Sequence, residues 1–162
     1  MAETPHRIQR IVLAMDGSPH SNAGARWAAA MAGGMGASIV AVYVIENPVD
    51  FSMGVMPFVP PSLDPEWRDA MLVAFEKEWC EPLAAAQVAY STRMEDGRAA
   101  TEIVRVADEV EADVVVMGRR GRGGISELLL GSVSHEVAQH CKRPVLLIST
   151  SDHGQGEHRD SS

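Results

Sequence analysis

Val114-Val115-Val116-Met117-Gly118-Arg119-Arg120-Gly121-Arg122-Gly123-Gly124 is the stretch that decides the fold of this chain. An apolar run typical of a buried strand passes here directly into a loop rich in glycine and arginine. Gly131-Ser132 then opens a helical pattern, which gives the spacing Gly-x2-Gly-x9-Gly-Ser between strand and helix. Backbone N–H groups at a helix start favour anions, and glycines let the backbone approach a ligand closely. The pattern therefore predicts a phosphate-binding site.

Three arginines, Arg119, Arg120 and Arg122, lie inside this loop, although the chain has a formal net charge of −8. Their forked donors suit phosphate oxygens. Nucleic acids and membrane surfaces require a broad basic face, so a local basic cluster on an acidic protein suits a small anion better. The residues alone leave open which arginine contacts phosphate.

The 162 residues suit one domain with a full core, expected over residues 1–149, followed by a polar tail over 150–162 that is expected to be disordered. No apolar run approaches the roughly 20 residues of a membrane span, and the first nine residues do not resemble a secretory signal. Cys80 and Cys141 are too few and too far apart for a disulfide framework, which favours buried thiols in the cytoplasm. Redox sensing is the alternative.

Apolar runs alternate with helical patterns along the chain. Strands are predicted over 10–16, 38–45, 88–94, 113–117 and 145–149, the third more polar and so toward a sheet edge. Helices are predicted to begin at Ser18-Pro19, at Asp64-Pro65, after Gly97 and at Ser132. This alternation predicts an open parallel sheet with helices on both faces.

Three helical details are testable. In the first helix Trp27, Ala30 and Met31 recur at helical spacing, and the glycines that follow are expected to end it, namely Gly33, Gly34 and Gly36. In the second, an aromatic and methionine stripe is expected to be core packing, and Pro82 should end or kink the helix; the stripe is Trp67, Met71, Phe75 and Trp79. Residues 46–63 are expected to be irregular, with Met53, Met56 and Phe58 as a candidate lid or partner surface.

The whole chain resembles the universal stress protein family, in the branch that binds ATP. The resemblance is carried by the glycine spacing, by Arg10-Ile11-Val12-Leu13-Ala14-Met15-Asp16-Gly17-Ser18, by Gly131-Ser132-Val133-Ser134 and by Pro144-Val145-Leu146-Leu147-Ile148. It implies an α/β fold, Rossmann-like, with an open, five-stranded, mostly parallel sheet in the order 3-2-1-4-5. The ligand crevice of such a sheet lies where the order reverses, here between strands one and four, where Asp16 and Gly118 meet.

The resemblance also implies roles for single residues. Ala14 and Val44 match positions whose backbone contacts adenine, and Asp16 faces the ribose or a metal. Gly118 is placed near the ribose and α-phosphate, Gly121 in the phosphate loop, and the helix start at the outer phosphates, namely Gly131, Ser132, Val133 and, as a weaker addition, Ser134. Met117, Arg119 and Arg122 complete the candidate site. Ser132 is expected to cap the helix as well as bind phosphate.

The chain departs from the family pattern where the family commonly has Ser-His and this sequence has Arg119-Arg120. Arg122 is the preferred phosphate contact, since the family often keeps a basic residue there. Asp16-Gly17-Ser18-Pro19 is also good turn chemistry, so Asp16 has a purely local alternative.

The favoured function is a cytoplasmic ATP-binding stress-response regulator, homodimeric through residues 145–148, with Mg²⁺ left open. One alternative is a nucleotide-independent homodimeric interaction module of the same fold, and another is a slow ATPase. No Walker P-loop is present, and His135 and His140 are not at metal-ligand spacing. The other histidines, His20 among them, are expected at the surface.

Overall fold

The computed structural model describes residues 7–46, 64–122 and 130–150. Its strands are β1 (Arg10–Ala14), β2 (Ser38–Ile45), β3 (Tyr90–Asp96), β4 (Val114–Gly118) and β5 (Val145–Ile148). Its helices are α1 (Pro19–Met35), α2 (Pro65–Val73), α3 (Glu81–Ala85), α4 (Ala99–Glu109) and α5 (Ser132–His140), with a π-helical turn over Ala74–Trp79 between α2 and α3. Two predictions lie outside the described residues. One is the irregular segment over 47–63 with its candidate lid residues Met53, Met56 and Phe58, and the other is the disordered tail beyond residue 150.

The five strands form one sheet in the order β3-β2-β1-β4-β5, and every pairing is parallel. This confirms the predicted class and order. At its carboxyl end Ala14 of β1 pairs with Val42 on one side and Met117 on the other. The ends of β1 and β4 therefore open at one edge of the sheet, where the strand order reverses.

The sheet is covered on both faces by separate hydrophobic clusters. On one face Ile11 and Leu13 pack with the alanines of α1 and with the aromatic residues after α2. On the other face Val12 packs with Val106 of α4 and Val137 of α5. The strand residues alternate between the faces with the period of two that an extended chain imposes, which explains the continuous apolar runs.

Helix α1 starts as predicted, and the residues it buries are small. Ser18 accepts a hydrogen bond from the Ser21 N–H at 3.2 Å, and the helix ends at Gly36 in the left-handed region with φ 68°. Gly33 and Gly34 lie inside the helix, so they do not end it. Trp27 is 57% exposed. The buried residues of the helix are Ser21, Ala23, Gly24, Ala25, Ala28, Ala29 and Ala32. Because these side chains are small, the helix packs close to the sheet.

The aromatic stripe of the second helical region is confirmed as core packing. Phe75 and Trp79 are buried, and Trp67 and Met71 pack partly buried against the same cluster. Asp64 caps α2 by accepting from the Glu66 N–H at 3.0 Å. The helix breaks through the π-helical turn before Pro82, which lies in the first turn of α3, as a proline without an N–H requires.

Several bounds and surroundings differ from those expected. Strand β1 ends at Ala14, two residues early, because Asp16 and Gly17 already belong to the turn into α1. Strand β3 is shifted to Tyr90–Asp96 and is an edge strand, as predicted. His20 is half-buried, with Nε2 3.2 Å from the Thr150 hydroxyl. No helix within the described ranges is long and apolar enough to cross a membrane.

Burial accounts for the character of Cys80. Its side chain is fully buried, and burial, followed by the nearby Glu76 charge, raises the pKa of the thiol to about 11. The thiol is therefore protonated at neutral pH. Since the thiolate is the reactive form, burial and the raised pKa favour a packing role for Cys80 over redox sensing.

Candidate functional site

A cavity of about 520 Å³ opens at the carboxyl ends of β1, β2 and β4. This volume is in the range of small-molecule binding sites. The lining includes eleven of the twelve residues predicted from the sequence, namely Ala14, Asp16, Val44, Met117, Gly118, Gly121, Arg122, Gly131, Ser132, Val133 and Ser134. The cavity has an apolar part over the sheet and a polar part between the loop after β4 and the start of α5.

The apolar part is a slot between the sheet and helix α4. Ala14 and Val42 pair side by side on adjacent strands, and Met117 pairs with Ala14 from the other side. Ile103 of α4 and Val44 of β2 also line this part of the cavity. Such a slot suits a flat aromatic ring, because both of its walls are apolar side chains.

The polar part is built on the N-terminus of α5. Gly131 is the capping residue, in extended backbone geometry and with no side-chain cap, so the prediction that Ser132 caps this helix is wrong. Ser132, Val133 and Ser134 are the first three helical residues. Their N–H groups have no intrahelical acceptor, and the helix dipole adds partial positive charge at the same point. An anion is the ligand this arrangement favours.

Two hydrogen bonds fix this helix start to the end of β4. The Gly131 N–H donates to the Arg119 carbonyl at 2.9 Å. The Ser134 hydroxyl, buried, donates to the Gly118 carbonyl at 2.9 Å. Ser134 therefore positions the anion site through Gly118 with its side chain, while its backbone N–H stays at the helix start.

Asp16 serves both the turn and the cavity. Its Oδ1 accepts from the Ser18 N–H at 2.9 Å, which is the local turn chemistry that the sequence indicated. Its Oδ2 accepts from the Arg122 N–H at 3.1 Å and so ties the loop after β4 to the end of β1. Asp16 also lines the cavity. The two interpretations of this residue are thus compatible.

Two loop glycines are required by close approach. A Cβ atom at Gly118 would lie 2.8 Å from the backbone carbon of His20 and 2.9 Å from the nitrogen of Ser21. A Cβ atom at Gly121 would lie 2.7 Å from Asp16 Oδ2. Real side chains do not tolerate such distances, so the glycines at these positions let β4 pass the start of α1 and let the loop reach Asp16.

The three arginines occupy three different environments. The Arg122 guanidinium lies 4.9 Å from the centroid of the Trp79 ring, within cation–π range. Arg120 lines the cavity together with Arg122. Arg119 is not among the lining residues; its backbone N–H donates to the Ile148 carbonyl at 2.7 Å and continues the sheet. Arg119 is the predicted site residue that the structure does not bring to the cavity.

Arg122 packs against a cluster of three aromatic residues, Tyr43, Phe75 and Trp79. The rings of Tyr43 and Trp79 meet edge-on at 5.0 Å, and Phe75 packs against both. Burial raises the pKa of Tyr43, opposed by the positive charge of Arg122. Gly17 has φ 75°, and a Cβ atom there would lie 2.6 Å from Trp79, so this turn also requires glycine.

Sequence reasoning missed seven lining residues, namely Met15, Ser21, Val42, Tyr43, Glu46, Ala99 and Ile103. Glu46 follows the carboxyl end of β2. Since ligands bind beyond the carboxyl ends of parallel strands, the reasoning that selected Asp16 after β1 applied to Glu46 as well. Its carboxylate accepts from the Ala99 N–H at 2.8 Å and so fixes the start of α4 at the cavity rim. Ala99 and Ile103 carry no sequence signal, because only the placement of α4 over the sheet brings them to the site.

Acidic, histidine and cysteine side chains are the potential metal ligands in the described parts of the chain. There, no group of three or more histidine, cysteine, aspartate or glutamate residues lies close enough together to hold an ion. Asp16 is one of two acidic residues in the cavity lining, and both of its oxygens accept backbone hydrogen bonds.

Comparison with known proteins agrees with the fold. Residues 7–149 match the sequence profile of the Universal stress protein family. A universal stress protein of Thermus aquaticus is 36% identical over 87% of this chain and 98% of its own. One of Methanocaldococcus jannaschii is 31% identical over 86% of this chain and 81% of its own. A universal stress protein solved in complex with cAMP superposes with a TM-score of 0.68, at 27% identity over 90% of this chain and all of its own.

Proposed function

Since the chain belongs to the universal stress protein family, we propose that it binds an adenine nucleotide, ATP in particular, and acts as a nucleotide-dependent regulator in the stress response. The observation that carries the proposal is one continuous cavity that is apolar over the sheet and has the free N–H groups of α5 at its polar end. A purine base fits the apolar part, and a phosphate chain binds the N–H groups. The related protein solved with cAMP supports the choice of adenine.

In this proposal each part of the cavity holds one part of the nucleotide. The adenine lies in the slot against Ala14 and Val44, and the ribose lies beside Asp16 and Gly118. The phosphates lie at the N–H groups of Ser132 and Val133. Each charge-assisted hydrogen bond is worth about 1.5–3 kcal/mol. Two or three of them at the helix start therefore support binding on the order of micromolar, about −8 kcal/mol.

The nucleotide proposal is tested on the purified protein. It is denatured and the supernatant is analysed for adenine nucleotide by chromatography, and a nucleotide-free sample is titrated with ATP in a calorimeter. Released nucleotide, or a saturable micromolar isotherm, supports the proposal. A protein that releases none and gives no heat of binding with ATP is the nucleotide-independent module, and the proposal is lost.

The proposal extends to a homodimer formed through β5. This strand is one edge of the sheet, and Val145, Leu146 and Leu147 are only half-buried there. The opposite edge, β3, is instead charged: Arg93 pairs with Glu95 at 2.7 Å and with Glu109 at 3.1 Å. Charges on an edge strand oppose pairing with another chain, whereas an apolar edge favours it.

The two free cysteines suit the reducing cytoplasm as the setting.

Leu147→Lys is expected to convert this dimer to a monomer. A lysine on the edge strand places a charge where two copies of β5 would meet. In sedimentation velocity the unchanged protein should have twice the 17.4 kDa chain mass, and the variant should have the chain mass alone. Thr92→Lys on β3 is the matched control and should leave the dimer intact. A dimer that survives Leu147→Lys, or a monomeric unchanged protein, contradicts assembly through β5.

A further inference from the structure

We propose that Arg120 is the residue by which this cavity distinguishes nucleotides by their number of phosphates. Its guanidinium binds the outer phosphates, so that the site favours adenosine triphosphate and diphosphate over the monophosphate and its cyclic form. This inference rests on the proposed function and names the specificity of the same site.

The other two loop arginines are placed differently. The Arg119 Nε is also buried without a partner among the described residues, but the Arg119 side chain is not part of the cavity wall. The Arg122 guanidinium is stacked on Trp79, and its backbone is held by Asp16 at 3.1 Å. Arg122 therefore contributes its charge from the side of the aromatic group and would have to leave Trp79 to bond a phosphate directly.

Arg120 is available for a ligand. It lines the cavity, and its Nε is buried without a hydrogen-bond partner among the described residues. A buried donor without an acceptor is unfavourable, so an acceptor in the cavity would stabilise the site. Asp16, the acidic group of this part of the cavity, already accepts bonds from the N–H groups of Ser18 and Arg122.

The backbone of Arg120 lies beside the helix start, where the outer phosphates are proposed to bind. A Cβ atom at Gly131 would lie 3.4 Å from Arg120 Cα, which places this residue against the first turn of α5. One phosphate group can be served by the helix N–H groups alone. A second and a third phosphate add charge that those neutral donors do not neutralise, and a forked guanidinium does.

The test is calorimetric titration of the full chain with ATP, ADP, AMP and cAMP at one fixed salt concentration. The unchanged protein is expected to bind ATP at least tenfold more tightly than AMP. Arg120→Gln should weaken ATP binding on the order of tenfold, the loss of one charge-assisted bond, and AMP binding less than twofold. Arg120→Lys, which keeps the charge without the fork, should lie between the two proteins in its ATP-to-AMP ratio.

Two comparisons make the assignment specific. Arg26→Gln removes the same charge from the exposed side of α1 and should leave the ratio unchanged. An unaltered ratio in Arg120→Gln, an equal loss for all four nucleotides, or a ratio lost only in Arg122→Gln would overturn the inference while leaving nucleotide binding in place. An unchanged protein that binds none of the four would instead overturn the proposed function itself.

Discussion

Gly121→Val is expected to abolish binding of ATP, with a loss of at least about 100-fold, while the protein stays folded. The first added carbon would lie 2.7 Å from Asp16 Oδ2, and the two methyl groups extend further into the cavity. Either the loop moves away from Asp16, which also breaks the Arg122 N–H bond, or Asp16 moves out of the site. A hundredfold loss corresponds to about 2.7 kcal/mol, within reach of one lost charge-assisted bond together with steric exclusion.

The measurement is calorimetric titration with ATP, with circular dichroism to confirm the fold. Gly34→Ala is the matched control, because its added carbon meets nothing within 4 Å. Alanine is also the better helix former, so this control should bind ATP normally and gain up to about 1 kcal/mol of stability. ATP binding by Gly121→Val within threefold of the unchanged protein would show that the nucleotide does not use this loop.

Gly118→Ala is expected to lower the free energy of unfolding by about 3 kcal/mol. The added carbon meets the backbone of α1, at 2.8 Å from His20 and 2.9 Å from Ser21, and a backbone cannot rotate away as a side chain can. Overpacking of this kind costs about 1–3 kcal/mol, and a backbone contact belongs at the upper end. The start of α1 must shift away from β4, which also opens the wall of the cavity.

Chemical denaturation at several urea concentrations measures this loss. Gly24→Ala is the control on the opposite side of the same contact, since its added carbon lies 3.7 Å from the Gly118 nitrogen, an ordinary packing distance. It should change stability by less than about 1 kcal/mol in either direction. If Gly118→Ala unfolds at the same urea concentration as the unchanged protein, then α1 and β4 are not packed as closely as described.

Four of the five strands were predictable because they are apolar on both faces, namely those at 10–14, 38–45, 114–118 and 145–148. Such runs are typical of strands that helices cover on both sides. The strand order came from the family resemblance, because periodicity does not encode which strands are neighbours. The spacing of Trp27 indicated a helix but not its buried face: Trp27 is 57% exposed, whereas five alanines of α1 are buried.

The backbone part of the site was predictable and the side-chain part was not. Gly118 and Gly121 stand where an added Cβ would clash, at 2.8 Å and 2.7 Å, whereas a Cβ at Gly131 would meet its nearest neighbours at 3.4 Å. The positions of the three arginines depend on contacts far along the chain: Arg122 is placed by Trp79 and Asp16, and Arg119 by Ile148. Since no local pattern encodes those contacts, the sequence could not show which arginine faces the phosphates, and it gave no signal for Tyr43.

The measurement that tests the central claim most directly is a crystal structure of this protein grown with saturating ATP. The account predicts the adenine between Ile103 and the strand ends at Ala14 and Val44, with the phosphates within hydrogen-bond distance of the N–H groups at the start of α5. Nucleotide bound elsewhere on the surface, or a cavity that stays free of nucleotide at saturation, would contradict it.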